Sequence, residues 1–422
     1  MNRCGTVKRY AVRVPSSKSI AHRLLICAAL STAPSVIRVF RPSADVEATV
    51  SCLAALGASI TAERGDIDGL TLYRVTPIAS DNAVPAGIRE LRTGESGSTL
   101  RFLLPVAAAL DVDARFVCEG RLPERPLGPL LDALRLGGVT AVKDGNTITV
   151  SGRLHAGNYA LPGNISSQFV TGMLLALPLI ESVSTLKVEG RLESADYVRL
   201  TLDALRRSGI ETKRECSLYR VPGGQKYSLG GDITVEGDWS GAAFLLCAGA
   251  VSEAGVTVCG LDPASAQGDR RIIDILRAFG AVVETAADKV TARKGELHGI
   301  TLDASDIPDL VPAIAALAAQ VKGDTVIKGA ARLRLKESDR LETTAAMLHA
   351  LGGTVAVNDD GLVITGGQLA GGNTDSYGDH RIAMAAAVAS MGCAAPVTVN
   401  GAECVTKSYP RFWADFQRAT GL

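Results

Sequence analysis

One pattern recurs along the chain and limits its possible folds more than any other property. An amphipathic helical stretch ends in glycine and leads into a β-type run. The copies read Leu53-x-x-Leu56-Gly57, Leu134-x-Leu136-Gly137, Leu202-x-x-Leu205 to Gly209, Leu276-x-x-Phe279-Gly280 and Leu348-x-x-Leu351-Gly352. Phe416 to Gly421 is a weaker sixth copy, and the spacing lies between 69 and 80 residues. Glycine suits the position just past a helix, where a left-handed residue turns the chain away. Two of the runs that follow, Val139–Val150 and Gly353–Ile364, contain Asp144-Gly145 and Asp360-Gly361, which predict hairpin turns.

A second element keeps the same period. Polar clusters introduce Ala- and Leu-rich helices at Ser19–Leu30, Ser98–Leu110, Ser167–Leu179, Ser240–Ala250, Asp309–Ala319 and His380–Ser390. Helices apolar on nearly every side are buried. Each repeat therefore holds one buried helix, one amphipathic helix and several strands, and six repeats fill the 422 residues. Three repeats per globule would give two similar domains near the usual size limit of a single core. Stacking all six into a solenoid is the alternative.

Composition excludes several classes. The formal net charge is zero and there is no block of five like charges, so binding to nucleic acid or a membrane surface through a strong overall field is not expected. No apolar run reaches the length of a membrane span, and the first residues show no signal peptide. The nine cysteines form no C-x-x-C pair, which predicts reduced thiols in a cytoplasmic protein, without disulfides or a metal site.

The starts of the six buried helices carry the most unusual polar residues. They read Ser17-Lys18-Ser19, Gly94-Glu95-Ser96-Gly97-Ser98, Ser166-Ser167-Gln168, Asp238-Trp239-Ser240, Asp306-Ile307-Pro308-Asp309 and Gly378-Asp379-His380-Arg381. For Asp238, Ser240 and Asp306, ordinary helix capping is the simplest reading. Capping does not account for Lys18, Arg23, Arg101, His380 and Arg381, because the helix dipole disfavours cations in first turns. Cations gather there when an anion sits among them, bound also by free backbone N–H groups. The pattern implies a highly anionic ligand carrying phosphate and carboxylate. Glu124-Arg125-Pro126 reads as a loop before a helix at 129–136. Lys336-Glu337-Ser338-Asp339-Arg340 precedes the amphipathic stretch 341–351, with Lys336 and Arg340 sharing a face if helical. A solvated charged face is the simplest reading of that run from spacing alone.

Taken together, these segments resemble the enolpyruvyl transferase family, and within it the branch that acts on shikimate 3-phosphate. The matching segments are Pro15–Arg23, Gly97–Arg101, Glu124–Leu127, Ser166–Phe169, Ile307–Asp309, Lys336–Arg340 and Asp379–Arg381, in order along the chain. The resemblance implies an α/β (α+β) fold of two similar domains, each of three βαβαββ units in an inside-out α/β barrel, with the active site in the interdomain cleft. It implies domains of residues 1–15 plus 236–422 and of residues 16–235. It also implies transfer of the enolpyruvyl group of phosphoenolpyruvate to the 5-hydroxyl of shikimate 3-phosphate by addition and elimination.

The same resemblance assigns residues. Shikimate 3-phosphate would be held by Lys18, Ser19, Arg23, Ser166, Ser167, Gln168, Ser194, Tyr197, Asp309 and Lys336. Phosphoenolpyruvate would be held by Lys18, Gly97, Arg125, Gln168, Arg340, His380, Arg381 and Lys407. Asp309, Glu337 and Lys18 would handle protons, with no cofactor and no metal. A monomer is expected. Four positions depart from the family pattern: Ser16 stands for Gly, Glu95 for Asn, Phe102 for Pro and Arg332 for Asn. The nearest alternative is the related transferase that uses UDP-N-acetylglucosamine, which usually has Lys-Asn where this chain has Lys18-Ser19. A P-loop kinase lacks its glycines here. A binding protein that kept the fold would be expected to lack Asp309 or Glu337.

Overall fold

The computed structural model describes residues 11–78 and 87–422. These fall into two compact units, one of Ser16–Val235 and one of the described residues up to Pro15 together with Glu236–Leu422. Each has its own apolar core. Twelve α-helices alternate between the two predicted kinds among the described residues. The first unit contains α1 (Lys18–Ala29), α2 (Ala44–Ala55), α3 (Gly97–Ala109), α4 (Gly128–Leu136), α5 (Ser167–Ala176) and α6 (Ala195–Arg207). The second contains α7 (Trp239–Ala250), α8 (Ile272–Ala278), α9 (Val311–Ala318), α10 (Arg340–Ala350), α11 (His380–Ser390) and α12 (Phe412–Thr420).

The odd-numbered helices are the apolar ones. Every residue of α7 and α9 is buried. Within the first unit α3 packs on α1 and α5, and within the second α7, α9 and α11 pack on one another. The approach of α5 to α3 needs a glycine: a β-carbon at Gly172 would lie 2.2 Å from the Arg101 carbonyl oxygen. The even-numbered helices are half-buried. In α6 the buried positions Val198, Thr201, Ala204 and Leu205 follow the helical period.

The repeat at 89–151 shows the common plan. Strand Arg89–Gly94 pairs parallel with Ala114–Cys118, which pairs antiparallel with Thr147–Ser151, itself antiparallel to Thr140–Asp144. Helices α3 and α4 connect the strands, giving βαβαββ order. Five sheets among the described residues have four strands in this arrangement, and a sixth pairs only Gly372–Asp375 with Val397–Asn400. Two repeats take their first strand from a distant part of the chain. Ala11–Arg13 pairs parallel with Val256–Cys259, and Gly231–Thr234 pairs parallel with Ser35–Phe40.

Several local expectations are corrected. At the second repeat the left-handed residue is Gly138, with φ of 92°, because α4 ends one residue before Gly137, which keeps a φ of −80°. Both expected hairpins form, but Asp360-Gly361 is not the turn. Asn358 pairs with Gly361, so Asp359 and Asp360 make the turn and Gly361 starts the next strand. In the other hairpin Asp144 pairs with Thr147, leaving Gly145 and Asn146 as the turn. Asp238 does cap α7, accepting from the Gly241 N–H at 3.2 Å. Ser240 does not: it lies within the helix, where its hydroxyl donates to buried Asp269. Asp306 precedes a 3-10 turn at Pro308–Leu310, whose N-cap position is Ile307.

The run Lys336–Arg340 is neither helical throughout nor a solvated face. Lys336 ends a 3-10 turn at Ala331–Leu335, and Arg340 is the first residue of α10. Arg340 is 1% exposed and Ser338 3%. Both side chains hydrogen-bond to buried Asp379, which accounts for their burial.

Candidate functional site

In the unit Ser16–Val235, the starts of α1, α3, α5 and α6 carry the expected residues. Lys18 opens α1 and its Nζ donates to Asp45 Oδ2 of α2 at 2.8 Å. Arg23, one helical turn further along, is buried. Its Nε donates to Thr201 Oγ1 at 2.8 Å, its Nη1 to the Ser19 carbonyl at 2.6 Å, and its Nη2 to the Tyr197 carbonyl at 2.8 Å and Thr171 Oγ1 at 3.3 Å. The guanidinium carbon lies 5.0 Å from the centre of the Phe102 ring. Burial lowers the Arg23 pKa to about 10, still charged at neutral pH. Arg23 therefore ties α1 to the first turn of α6, where Ser194 and Tyr197 stand. Ser194 is buried with a φ of 52°, a conformation costly for serine and common at ligand sites.

Gly97 begins α3 beside two guanidinium groups. A β-carbon there would lie 2.5 Å from Arg101 Nη1 and 3.0 Å from Arg125 Nη1. Arg125 follows a 3-10 turn at Leu122–Glu124. Arg101 Nη1 also donates to Gln168 Oε1 at 2.9 Å, and Gln168 Nε2 donates to Ser98 Oγ at 2.9 Å. Ser166 caps α5 by accepting from the Gln168 N–H at 3.3 Å, and Ser167 is the first residue of that helix. Lys18, Gly97, Arg125 and Ser166–Gln168 thus all sit at helix starts or adjoining loops. The exposed side chain of Glu95 lies against Gly120.

The second unit gathers charges around Asp309, in the turn Pro308–Leu310. Its Oδ1 accepts from Arg340 Nη1 at 2.9 Å and Lys336 Nζ at 3.3 Å, and its Oδ2 lies 3.3 Å from Arg381 Nη2. Arg381 Nη1 also donates to the Asp309 carbonyl at 3.0 Å. Arg340 reaches Glu337 Oε2 at 2.7 Å and grips Asp379 with Nε at 2.8 Å and Nη2 at 3.2 Å. Asp379 caps α11 through the Arg381 N–H at 2.9 Å and accepts from Ser338 Oγ at 3.0 Å. His380 is buried next to Asp379, with Nδ1 3.9 Å from its Oδ1. Lys407 ends a 3-10 turn, Ala402–Lys407, that packs on α11.

Burial alone would raise the Asp309 pKa, but Arg381, Lys336 and Arg340 outweigh it and hold the carboxyl well below its ordinary range. Desolvation lowers Lys336 to about 8, helped by Arg332 and Arg340 and opposed by Asp309 and Glu337. Burial, with the Asp309 charge adding to it, pushes Asp269 up to about 7.

Asp45, Asp269 and Arg101 belong to these arrangements and were not among the residues assigned to a substrate from sequence. Arg101 was singled out from sequence as a cation in a first turn but was assigned to neither substrate. Asp45 had no signal, because its pairing with Lys18 exists only once α1 and α2 pack. Among the described residues no cluster of metal-ligating side chains occurs, no helix is long and apolar enough to cross a membrane, and eight cysteines are free thiols.

Comparison with known proteins identifies the family. Residues 7–416 match the family model described as EPSP synthase (3-phosphoshikimate 1-carboxyvinyltransferase). A 3-phosphoshikimate 1-carboxyvinyltransferase of Clostridium kluyveri is 41% identical over 416 residues, covering 97% of this chain and 95% of the relative. One of Clostridium acetobutylicum is 39% identical over 415 residues, with the same coverage. The solved EPSP synthase of Acinetobacter baumannii superposes with a TM-score of 0.77 at 28% identity, covering 97% of this chain and 95% of that one. The chain belongs to the EPSP synthase (3-phosphoshikimate 1-carboxyvinyltransferase) family.

Proposed function

We propose that this chain transfers the enolpyruvyl group of phosphoenolpyruvate to the 5-hydroxyl of shikimate 3-phosphate and releases phosphate, in the route to chorismate and the aromatic amino acids. The observation that carries the residue roles is Asp309, a largely enclosed carboxylate held by three cations from two segments, Lys336 and Arg340 in one run and Arg381 at the start of α11. Such a cluster suits a ligand with several negative charges, because an incoming phosphate or carboxylate gives the cations new partners. Shikimate 3-phosphate is assigned to Lys18, Ser19, Arg23, Ser166, Ser167, Gln168, Ser194, Tyr197, Asp309 and Lys336. Arg23 takes part through one Nη1 hydrogen not used by its four protein acceptors. Phosphoenolpyruvate is assigned to Lys18, Gly97, Arg125, Gln168, Arg340, His380, Arg381 and Lys407.

The chemistry then needs two protons moved. Asp309 takes the proton of the 5-hydroxyl as its oxygen bonds to C2 of phosphoenolpyruvate, while C3 is protonated. The tetrahedral product loses phosphate from C2 as a proton leaves the C3 methyl. Glu337 serves the C3 proton, with Lys18 as its partner in that exchange. Arg340 links Asp309 and Glu337 directly, so the two carboxylates share one cation. As the bound anions draw on Arg340, Arg381 and Lys336, Asp309 becomes more basic, as its role requires.

The test is phosphate release with both substrates, repeated with UDP-N-acetylglucosamine as acceptor. Release only with shikimate 3-phosphate supports the reading, and none from about pH 5 to 9 rejects it. We also propose a cytosolic location, which the free thiols favour, and a monomer, which sedimentation of the purified protein checks. Lys336 gives a pH prediction. Its ammonium is lost as pH rises through about 8, so shikimate 3-phosphate affinity should fall above that pH by up to tenfold per unit. Lys336→Arg stays charged and should flatten the fall in calorimetric titrations. An equal fall in both proteins removes Lys336 from the acceptor site.

A further inference from the structure

A buried chain of hydrogen bonds runs through α1, α2 and α3. His22 Nδ1 lies 2.7 Å from Thr49 Oγ1, Thr49 Oγ1 lies 2.6 Å from Thr99 Oγ1, and Thr99 Oγ1 lies 2.7 Å from Ser96 Oγ. Ser96 is the N-cap of α3 and accepts from the Thr99 N–H at 3.3 Å. All four side chains are fully buried.

The direction of the chain follows from donor counting. Burial lowers His22 to a pKa of about 3, so the imidazole is neutral and has one N–H. Its Nε2 is buried and makes no hydrogen bond. An orphaned N–H is rarer in proteins than an acceptor short of a donor, which puts the proton on Nδ1. His22 then donates to Thr49, Thr49 to Thr99, and Thr99 to Ser96. A 3.4 Å contact from Thr99 Oγ1 to the Asp45 carbonyl is the longer alternative. Each hydroxyl donates once and accepts once until the cap oxygen, which accepts twice.

The first two members of this chain lie next to Lys18 and Asp45 along their helices. His22 is one turn from Lys18 on α1, and Thr49 is one turn from Asp45 on α2. Two ties therefore join α1 to α2, Lys18 with Asp45 and His22 with Thr49, and the second continues to the start of α3. There Gly97 stands against Arg101 and Arg125.

We propose that His22 is a positioning residue for the donor: through Thr49, Thr99 and Ser96 it fixes the start of α3, with Gly97, relative to Lys18. This rests on the assignment of Lys18 and Gly97 to phosphoenolpyruvate. The test is steady-state kinetics of His22→Leu, His22→Asn and Thr49→Val, with thermal unfolding as a check on folding. His22→Leu and Thr49→Val should raise the KM for phosphoenolpyruvate about tenfold, with kcat and the KM for shikimate 3-phosphate within about twofold. Asn can donate from its amide, so His22→Asn should recover most of the loss. Equal losses in all three kinetic constants would overturn the proposal, as would an unchanged donor KM in folded Thr49→Val, should His22→Leu fail to fold. Wild-type phosphate release in the same assay separates failure of this proposal from failure of the function it rests on.

Discussion

Asp309→Asn should slow phosphate release by roughly 10²- to 10⁴-fold, the usual contribution of a positioned general base, while shikimate 3-phosphate still binds. In the free protein this carboxyl is ionised far below the usual range, because three cations outweigh its burial. It is therefore in the basic form at every working pH, though a weak base until bound anions share those cations. Asparagine keeps the shape and one acceptor but cannot take a proton. It also leaves Lys336, Arg340 and Arg381 with one negative charge fewer, so affinity for an anionic ligand should hold or rise. That opposite movement of binding and turnover distinguishes a lost base from a collapsed site. Calorimetric binding together with single-turnover phosphate release measures both, and turnover within tenfold of wild type would remove Asp309 from the role.

How much of this was legible in the sequence depends on the distance over which each signal acts. The repeats were legible because helical periodicity and a following glycine are local, and the predicted starts of the buried helices fall within two residues of those observed. The cations at helix starts were legible because they contradict the local dipole. The run Lys336–Arg340 was misread as a solvated face because its burial depends on Asp309 and Asp379, both distant in sequence. His22 and Thr49 look like ordinary residues on two helices, and only packing turns them into a hydrogen-bonded pair. The hairpin turns shifted because an Asp-Gly pair marks a bend without fixing which residue leaves the ladder. Gly361 belongs to a strand that passes so close to Ile327 that a β-carbon would lie 1.9 Å from its carbonyl oxygen.

Asp379→Ala should be the most destabilising of these changes, lowering stability by about 3–5 kcal/mol, as expected when one partner of a buried ion pair is removed. Arg340 is 1% exposed and Asp379 is fully buried, and two hydrogen bonds join them. Removing the carboxylate strands part of a guanidinium that water cannot reach, because Asp309 and Glu337 satisfy only its other edge. The same change removes the acceptor that caps α11, adding about 1 kcal/mol. For a unit of this size the unfolding midpoint should fall by on the order of 10 °C. The pH dependence has a definite sign. Arg340 holds the Asp379 pKa below its ordinary value despite burial, so the pair contributes above the usual carboxylate range and is lost as pH falls through the folded value. The gap between wild type and Asp379→Ala should therefore be widest near neutrality and close in acid. Asp232→Ala supplies the contrast: Arg38 makes two 2.6 Å bonds to that carboxylate, but the pair is solvated. Its loss should leave the midpoint unchanged within about 1 °C. Equal shifts in the two variants would mean that burial does not set the strength of the Arg340–Asp379 pair.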